Sequence, residues 1–170
     1  GPPIGNLRML EAGHPTPDES SFLAAEEALR LAGRAGEGDT VLFLLSGGGS
    51  ALFESPLIPG AELQDITGQL LGCGADIVEI NTLRKRVSAV KGGRFAQLCA
   101  PARVFSIVLS DIVGDPLDMI ASGPAYPDSS TAADAYAVVR KYGLRLPGTV
   151  LALLDRPTPG RLDTVETHVT

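Results

Sequence analysis

The sequence is poor in the residues that metal centres and disulfide frameworks need. Its 170 residues hold two cysteines and two histidines. Cys73 and Cys99 both fall in helix-like contexts, where reduced, buried thiols are expected instead of a disulfide. With no Cys/His cluster, a protein-ligated zinc is not expected. No apolar run approaches the ~20 residues that cross a bilayer, and no basic-then-apolar leader opens the chain. These absences point to a cytoplasmic protein with no membrane partner. A net charge of −6 argues against a general nucleic-acid binder.

One absence is local. Between Ile80 and Ser110 there is no aspartate or glutamate, although Arg84, Lys85, Arg86, Lys91, Arg94 and Arg103 all fall there. An acidic chain that keeps one stretch purely basic is expected to keep it for an anion. A merely solvated helix face usually mixes signs.

What is present suffices for one well-buried core: 44% of the residues are hydrophobic and 20% charged. Twenty glycines and thirteen prolines sit between periodic segments, so they read as turn chemistry. Phe22, Ala25, Leu29 and Ala32 recur at helical spacing behind the capping residues of DESS. VLFLL (41–45) and VFSIVL (104–109) are short continuous apolar runs, the pattern of strands buried on both faces. Leu63, Ile66 and Leu70 mark another helix. Ile77, Ile80, Leu83, Val87 and Val90 mark a third, spanning Asp76 to Val90. Ser130 or Thr131 can cap a helix that Gly143 stops. A short helix near 149–154 and a terminal strand complete the reading. Strands separated by helices at this spacing give an α/β domain, three-layer and Rossmann-like, with a largely parallel sheet flanked by helices. In such sheets ligands collect at the carboxyl ends of the strands.

Two loops fall at those ends. The first is Ser46-Gly47-Gly48-Gly49-Ser50, which follows VLFLL directly. Three glycines can hold backbone N–H groups convergent and let a phosphate approach without meeting Cβ atoms. A short helix opening at Ser50 would favour the same anion. The run is not a Walker A loop, a GxGxxG fingerprint or a GxSxG elbow. A tight strand-to-helix turn is the plain structural alternative. The second loop is Ser110-Asp111-Ile112-Val113-Gly114-Asp115. Asp111 and Asp115 could hold Mg²⁺, which prefers one or two carboxylates plus phosphates and water, or could cap the next turn.

The helix from Asp76 carries Asn81, Arg84, Lys85 and Ser88 opposite its apolar stripe, continued to Lys91. This face is either an exposed basic surface or one wall of a polyphosphate pocket. The rigid HPTPD (14–18) holds His14, for which ordinary hydrogen-bonded structure is the expected role.

Taken in order, HPTPD, LLSGGGSALF, GADIVEINTLRKRVSAVKGGRFA and LSDIVGDPLDMIASGPAYPD resemble the glycerate 2-kinase family, and the likeness covers nearly the whole chain. Where the family pattern reads RKHLS, this chain has RKRVS, with Arg86 in place of the histidine. The resemblance implies an ATP-dependent kinase acting on the 2-hydroxyl of D-glycerate, with ATP and Mg²⁺ required. Some relatives carry the name hydroxypyruvate reductase, which is the alternative enzyme. A non-catalytic phosphate-ligand-binding module is the alternative outside enzymes. The resemblance also implies that residues 1–170 belong to the N-terminal α/β domain of a two-domain protein. A preceding segment and a C-terminal MOFRL domain would then lie outside them, and a homodimer stays open. Under it, Ser46, Gly47, Gly48, Gly49 and Ser50 cradle phosphate and Lys85 and Lys91, with Arg84, supply catalytic cations. Asn81 and Arg84 meet the glycerate carboxylate, and Asp111 and Asp115 lie near Mg²⁺.

Overall fold

A computed structural model describes residues 5–109 and 117–169. Along the chain run α1 (Glu19–Ala32), β1 (Thr40–Leu45), α2 (Gly49–Leu52), α3 (Gly60–Gly72), α4 (Ile77–Arg86), α5 (Arg94–Cys99) and β2 (Arg103–Val108). A 3₁₀ turn (Ile120–Ser122), α6 (Ala132–Tyr142), α7 (Gly148–Leu154) and β3 (Val165–Val169) follow. The strands form one parallel sheet in the order β1-β2-β3, with Leu45 opposite Val108 and Val108 opposite Val169. The α/β architecture and the parallel sheet are those expected from the alternation of apolar runs and helical stripes.

The longer helices begin where a side chain can satisfy the orphan N–H groups of a first turn. Asp18, Asp76 and Thr131 each accept a bond from the backbone three residues on, and the residue there bonds back to the cap. Gly143, at φ 59°, takes the left-handed turn that ends α6.

Packing divides into two clusters. The inner one joins Ala32 of α1 and Phe95, Ala96 and Cys99 of α5 to Val104 on the sheet. The outer one gathers α3, α4, α6 and α7 around Leu63, Leu70, Leu83, Ala135, Val150 and Leu154. Only the inner cluster includes strand residues, Val104 with Val41, Phe43 and Val165 against it, all from one face of the sheet. The opposite face is open: Leu42 is 60% and Leu44 67% exposed. The apolar run of β1 thus alternates, where burial on both faces was expected, because helices among the described residues cover one side alone. Cys73 also departs from expectation. It caps the exposed end of α3, whereas Cys99 is buried, and both are free thiols.

The helix expected over Asp76–Val90 stops at Arg86. Val87 leaves the helical region, and its carbonyl accepts instead from Leu57, while Ala89 donates to Ser55. The chain there trades helix bonds for a short antiparallel contact between Pro56 and Ser88. Beyond that contact, Ser88 bonds Glu54 and the Lys91 ammonium reaches the Ser50 carbonyl at the end of the glycine run.

Candidate functional site

The glycine run leaves β1 at its carboxyl end and turns into α2. Each of its glycines is required for a different reason, or for none. Gly48 sits at φ 82°, and a Cβ there would meet the His14 ring at 3.2 Å. A Cβ on Gly49 would come within 2.7 Å of Leu45 and 2.9 Å of the Ala121 methyl, so close packing excludes a side chain. Gly47 has neither constraint: its φ is not left-handed and nothing lies within 4 Å of its Cβ position. It is exposed and faces open space.

That space is a cavity of about 320 Å³ lined by His14, Pro15, residues 46–51, Ile77, Leu109 and Met119–Ala121. It lies at the carboxyl ends of β1 and β2, where a parallel sheet presents ligand sites. A second cavity of about 350 Å³ lies between the α5 terminus, Tyr126 and the flank of β3, and contains none of the residues singled out from sequence.

The wall opposite the glycine run is strained. Ala121 (φ 49°) and Ser122 (φ 60°), followed by Gly123 (φ 61°), adopt the left-handed conformation in succession. Each non-glycine residue of this kind costs roughly 1–3 kcal/mol and persists where its surroundings hold it. The backbone N–H groups of Gly92 and Gly93 donate to the carbonyls of Ser122 and Gly123 at 3.0 and 2.8 Å. The Ser122 hydroxyl donates to Asn81 Oδ1 at 2.8 Å and accepts from Ser50 Oγ at 3.2 Å. Asn81 in turn donates towards Met119 O. A single chain of bonds thus ties both cavity walls to α4.

Below the cavity lies the basic segment, and its polar face is buried. Every residue of α4 from Ile80 to Arg86 is buried. The Lys85 ammonium is 0% exposed and contacts Asp118 at 2.9 Å and Asp128 at 3.2 Å. Lys91, equally buried, donates to the carbonyls of Ser50 (3.0 Å) and Phe53 (3.2 Å) and pairs with Glu54 at 3.4 Å. Arg84 Nη2 donates to Ser50 O at 3.1 Å, and Ser88 donates to Glu54 at 2.6 Å. Arg86 donates to the carbonyls of Ser130 and Arg156. Phe53 completes the anchorage by packing against Phe43 of β1 and Phe95 of α5, with ring centroids 5.6 and 5.3 Å away.

The stretch without acids in sequence is therefore met by acids in space. Burial pushes the Lys91 ammonium below its ordinary range, Glu54 works against that, and Arg84 adds to it. For Asp118, burial is the largest single influence and would raise the carboxyl. Bonds from Ser129 and Lys85 together outweigh it and hold Asp118 below the usual carboxylate range. In charge, the layer holds Arg84, Lys85, Arg86 and Lys91 against Glu54, Asp118 and Asp128, with the half-buried Arg94 beside Arg86 and Asp128, so cations outnumber carboxylates among these residues. A surplus charge in a poorly polarisable interior projects its field further than one in water.

Of the sequence-selected residues, Ser46 to Ser50 line the cavity. Asn81, Arg84, Lys85 and Lys91 lie beneath it and bond to protein groups, although Arg84 Nε is buried without a hydrogen-bond partner among the described residues. Asp111 and Asp115 fall outside the described residues. Three participants were given no site role from the linear sequence. Glu54 and Asp118 are isolated acids, visible as partners only once α4 is folded against them. His14 sits far upstream, yet lies against Gly48.

Similarity to known proteins agrees with this geometry. The family described as "Domain of unknown function (DUF4147)" matches residues 2–155. A D-glycerate 2-kinase of Thermotoga maritima is 52% identical over 169 residues, covering 98% of this chain and 40% of the relative. A glycerate 2-kinase of Pyrococcus horikoshii is 43% identical, covering 96% of this chain and 38% of the relative. The crystal structure of a glycerate kinase from Thermotoga maritima superposes with a TM-score of 0.94 at 51% identity, over 99% of this chain and 41% of that one. The chain thus spans about two fifths of the length of these relatives. With residues 2–155 matched, the chain belongs to the DUF4147 family.

Proposed function

We propose that the protein containing this chain transfers the γ-phosphoryl group of ATP to the 2-hydroxyl of D-glycerate. The observation that carries this reading is the bare backbone of Gly47 at a strand-end cavity, set over a buried layer with surplus positive charge. Phosphoryl transfer asks a protein for position and charge neutralisation more than for covalent chemistry. Ser46 to Ser50 would receive phosphate oxygens on backbone N–H groups and on the Ser46 hydroxyl, since the Ser50 hydroxyl donates to Ser122. Lys91 and Arg84 would act from below, through the Ser50 carbonyl they hold, and Lys85 through the Asp118–Asp128 loop. Asn81 enters as the residue that locks Ser122, and through it Ser50. Mg²⁺ belongs to this reading as the ion that neutralises phosphate charge when bound, with Asp111 and Asp115 as its proposed ligands. The relatives' names supply the acceptor: those quoted are named for glycerate. On this reading the chain is the glycine-loop part of a longer two-domain enzyme of the cytoplasm.

The test uses the full-length protein with Mg-ATP and D-glycerate, followed by ³¹P NMR. A 2-phosphoglycerate resonance appearing as ATP is consumed is the expected result. Binding of ATP with no turnover would make the chain a phosphate-ligand module. Oxidation of NADH dependent on hydroxypyruvate would make it part of a reductase, although no GxGxxG run is present.

A further inference from the structure

The cavity beside the glycine run is lined by carbon, backbone and hydroxyl, with one exception. Among the described lining residues, His14 is the one that carries an imidazole, a side chain suited to general acid–base work. Its ring lies against Gly48, where a Cβ would meet Cδ2 at 3.2 Å and Nε2 at 3.4 Å. Neither ring nitrogen has a hydrogen-bond partner among the described residues, and the residue is exposed to the cavity.

The segment that presents it is held firmly. Asp18, the N-cap of α1, also accepts from the backbone N–H of Gly13 at 3.1 Å. A Cβ on Gly13 would come within 2.6 Å of that carboxylate, so glycine lets the turn close on the helix start. Pro17 is buried beneath. The turn is thus fixed to α1 on one side while the imidazole projects towards Gly48 on the other.

From this we infer that His14 is the proton acceptor for the acceptor substrate's hydroxyl, an assignment that rests on the phosphoryl-transfer reading above. The acceptor O–H bond breaks and its proton passes to an imidazole nitrogen of His14. The acceptor oxygen forms its bond to the γ-phosphorus as the bond from that phosphorus to the nucleoside diphosphate breaks. The imidazolium then returns the proton to water. The hydroxyls of Ser46 and Ser50 cannot take this part, since a serine hydroxyl does not accept a proton in the neutral range. Ser50 is in addition committed as a donor to Ser122.

The test compares full-length wild type with His14→Gln and His14→Asn, which keep a hydrogen-bonding group but cannot carry the proton. Wild type must first form 2-phosphoglycerate from Mg-ATP and D-glycerate. If it does not, the kinase reading falls and this assignment with it. Given an active wild type, kcat should drop about 100-fold or more in both variants, the lower range for loss of a general base. KM for glycerate should stay within about threefold, since the loss falls in the transition state. Added imidazole should restore part of the rate to His14→Ala. Unchanged kcat, or a raised KM at constant kcat, would overturn the assignment while leaving the kinase intact. Thermal melting of each variant separates these outcomes from loss of fold, because the exposed ring carries no core contact.

Discussion

The cavity wall and the layer beneath it are opposites in composition. The wall is glycine, serine and apolar carbon, exposed and nearly uncharged. The layer holds four cations and three carboxylates, almost all withdrawn from water. One would expect a phosphate site to display its cations. On the proposed reading the uncharged surface would meet phosphate, while the buried charge holds that surface in shape from behind. The difference teaches that a basic stripe on a helix can serve an anion without touching it. The buried Lys91 holds the loop by its Ser50 and Phe53 carbonyls, and on the proposed reading its charge would act on phosphate through the backbone.

The comparison can be broken at its strongest point first. Lys85→Met removes the partner of two buried carboxylates and should cost roughly 3–5 kcal/mol in urea unfolding of the folded protein. A variant that binds ligand poorly but unfolds at the wild-type midpoint would show Lys85 facing the ligand instead. Gly49→Ala comes next, since its Cβ must push into Leu45 and Ala121. Overpacking of this kind typically costs about 1–3 kcal/mol. Gly48→Ala should cost less, about 1–2 kcal/mol, for an L residue held at positive φ, with the His14 ring obliged to give way. A Gly49→Ala variant as stable as wild type would mean that the loop does not pack as described.

The smallest effect concerns acid. Glu79 joins the start of α4 to the end of α6 by accepting from Lys141 at 2.6 Å and Tyr142 at 2.7 Å. The Lys141 bond foremost, then Tyr142, brings its carboxyl down to about 2. A carboxyl depressed in the folded state stabilises above its unfolded value and loses that contribution as pH falls towards the folded value. The melting temperature of wild type should therefore decline between about pH 4.5 and pH 2, and Glu79→Gln should decline less over the same window. Parallel curves would remove Glu79 from the account.

How much of this was legible beforehand follows from which signals are local. Caps, helical stripes and the strand-to-glycine junction depend on neighbours a few residues apart, and they read correctly at Asp18, Thr131 and Gly143. The extent of α4 did not, because Val87 leaves the helix to bond Leu57, thirty residues away in sequence. Nor did the burial of β1, where an apolar run says nothing about which face is covered. For the site, the glycine run and the basic stripe were visible, yet their relation was not. Lys85 reaches Asp118 and Lys91 reaches Glu54 across separations of more than thirty residues. No spacing rule announces such pairs. His14 was read as ordinary hydrogen-bonded structure for the same reason, since its place against Gly48 is made by the fold alone.

The measurement that tests the central claim most directly is calorimetric titration of ATP into full-length wild type and Gly47→Val. Gly47 is the position where neither backbone nor packing requires glycine. The account predicts an unchanged melting temperature and affinity weakened by about tenfold or more, about 1.4 kcal/mol of binding free energy. Equal affinity in a protein that melts like wild type would mean that phosphate does not approach the loop there, and would contradict the account.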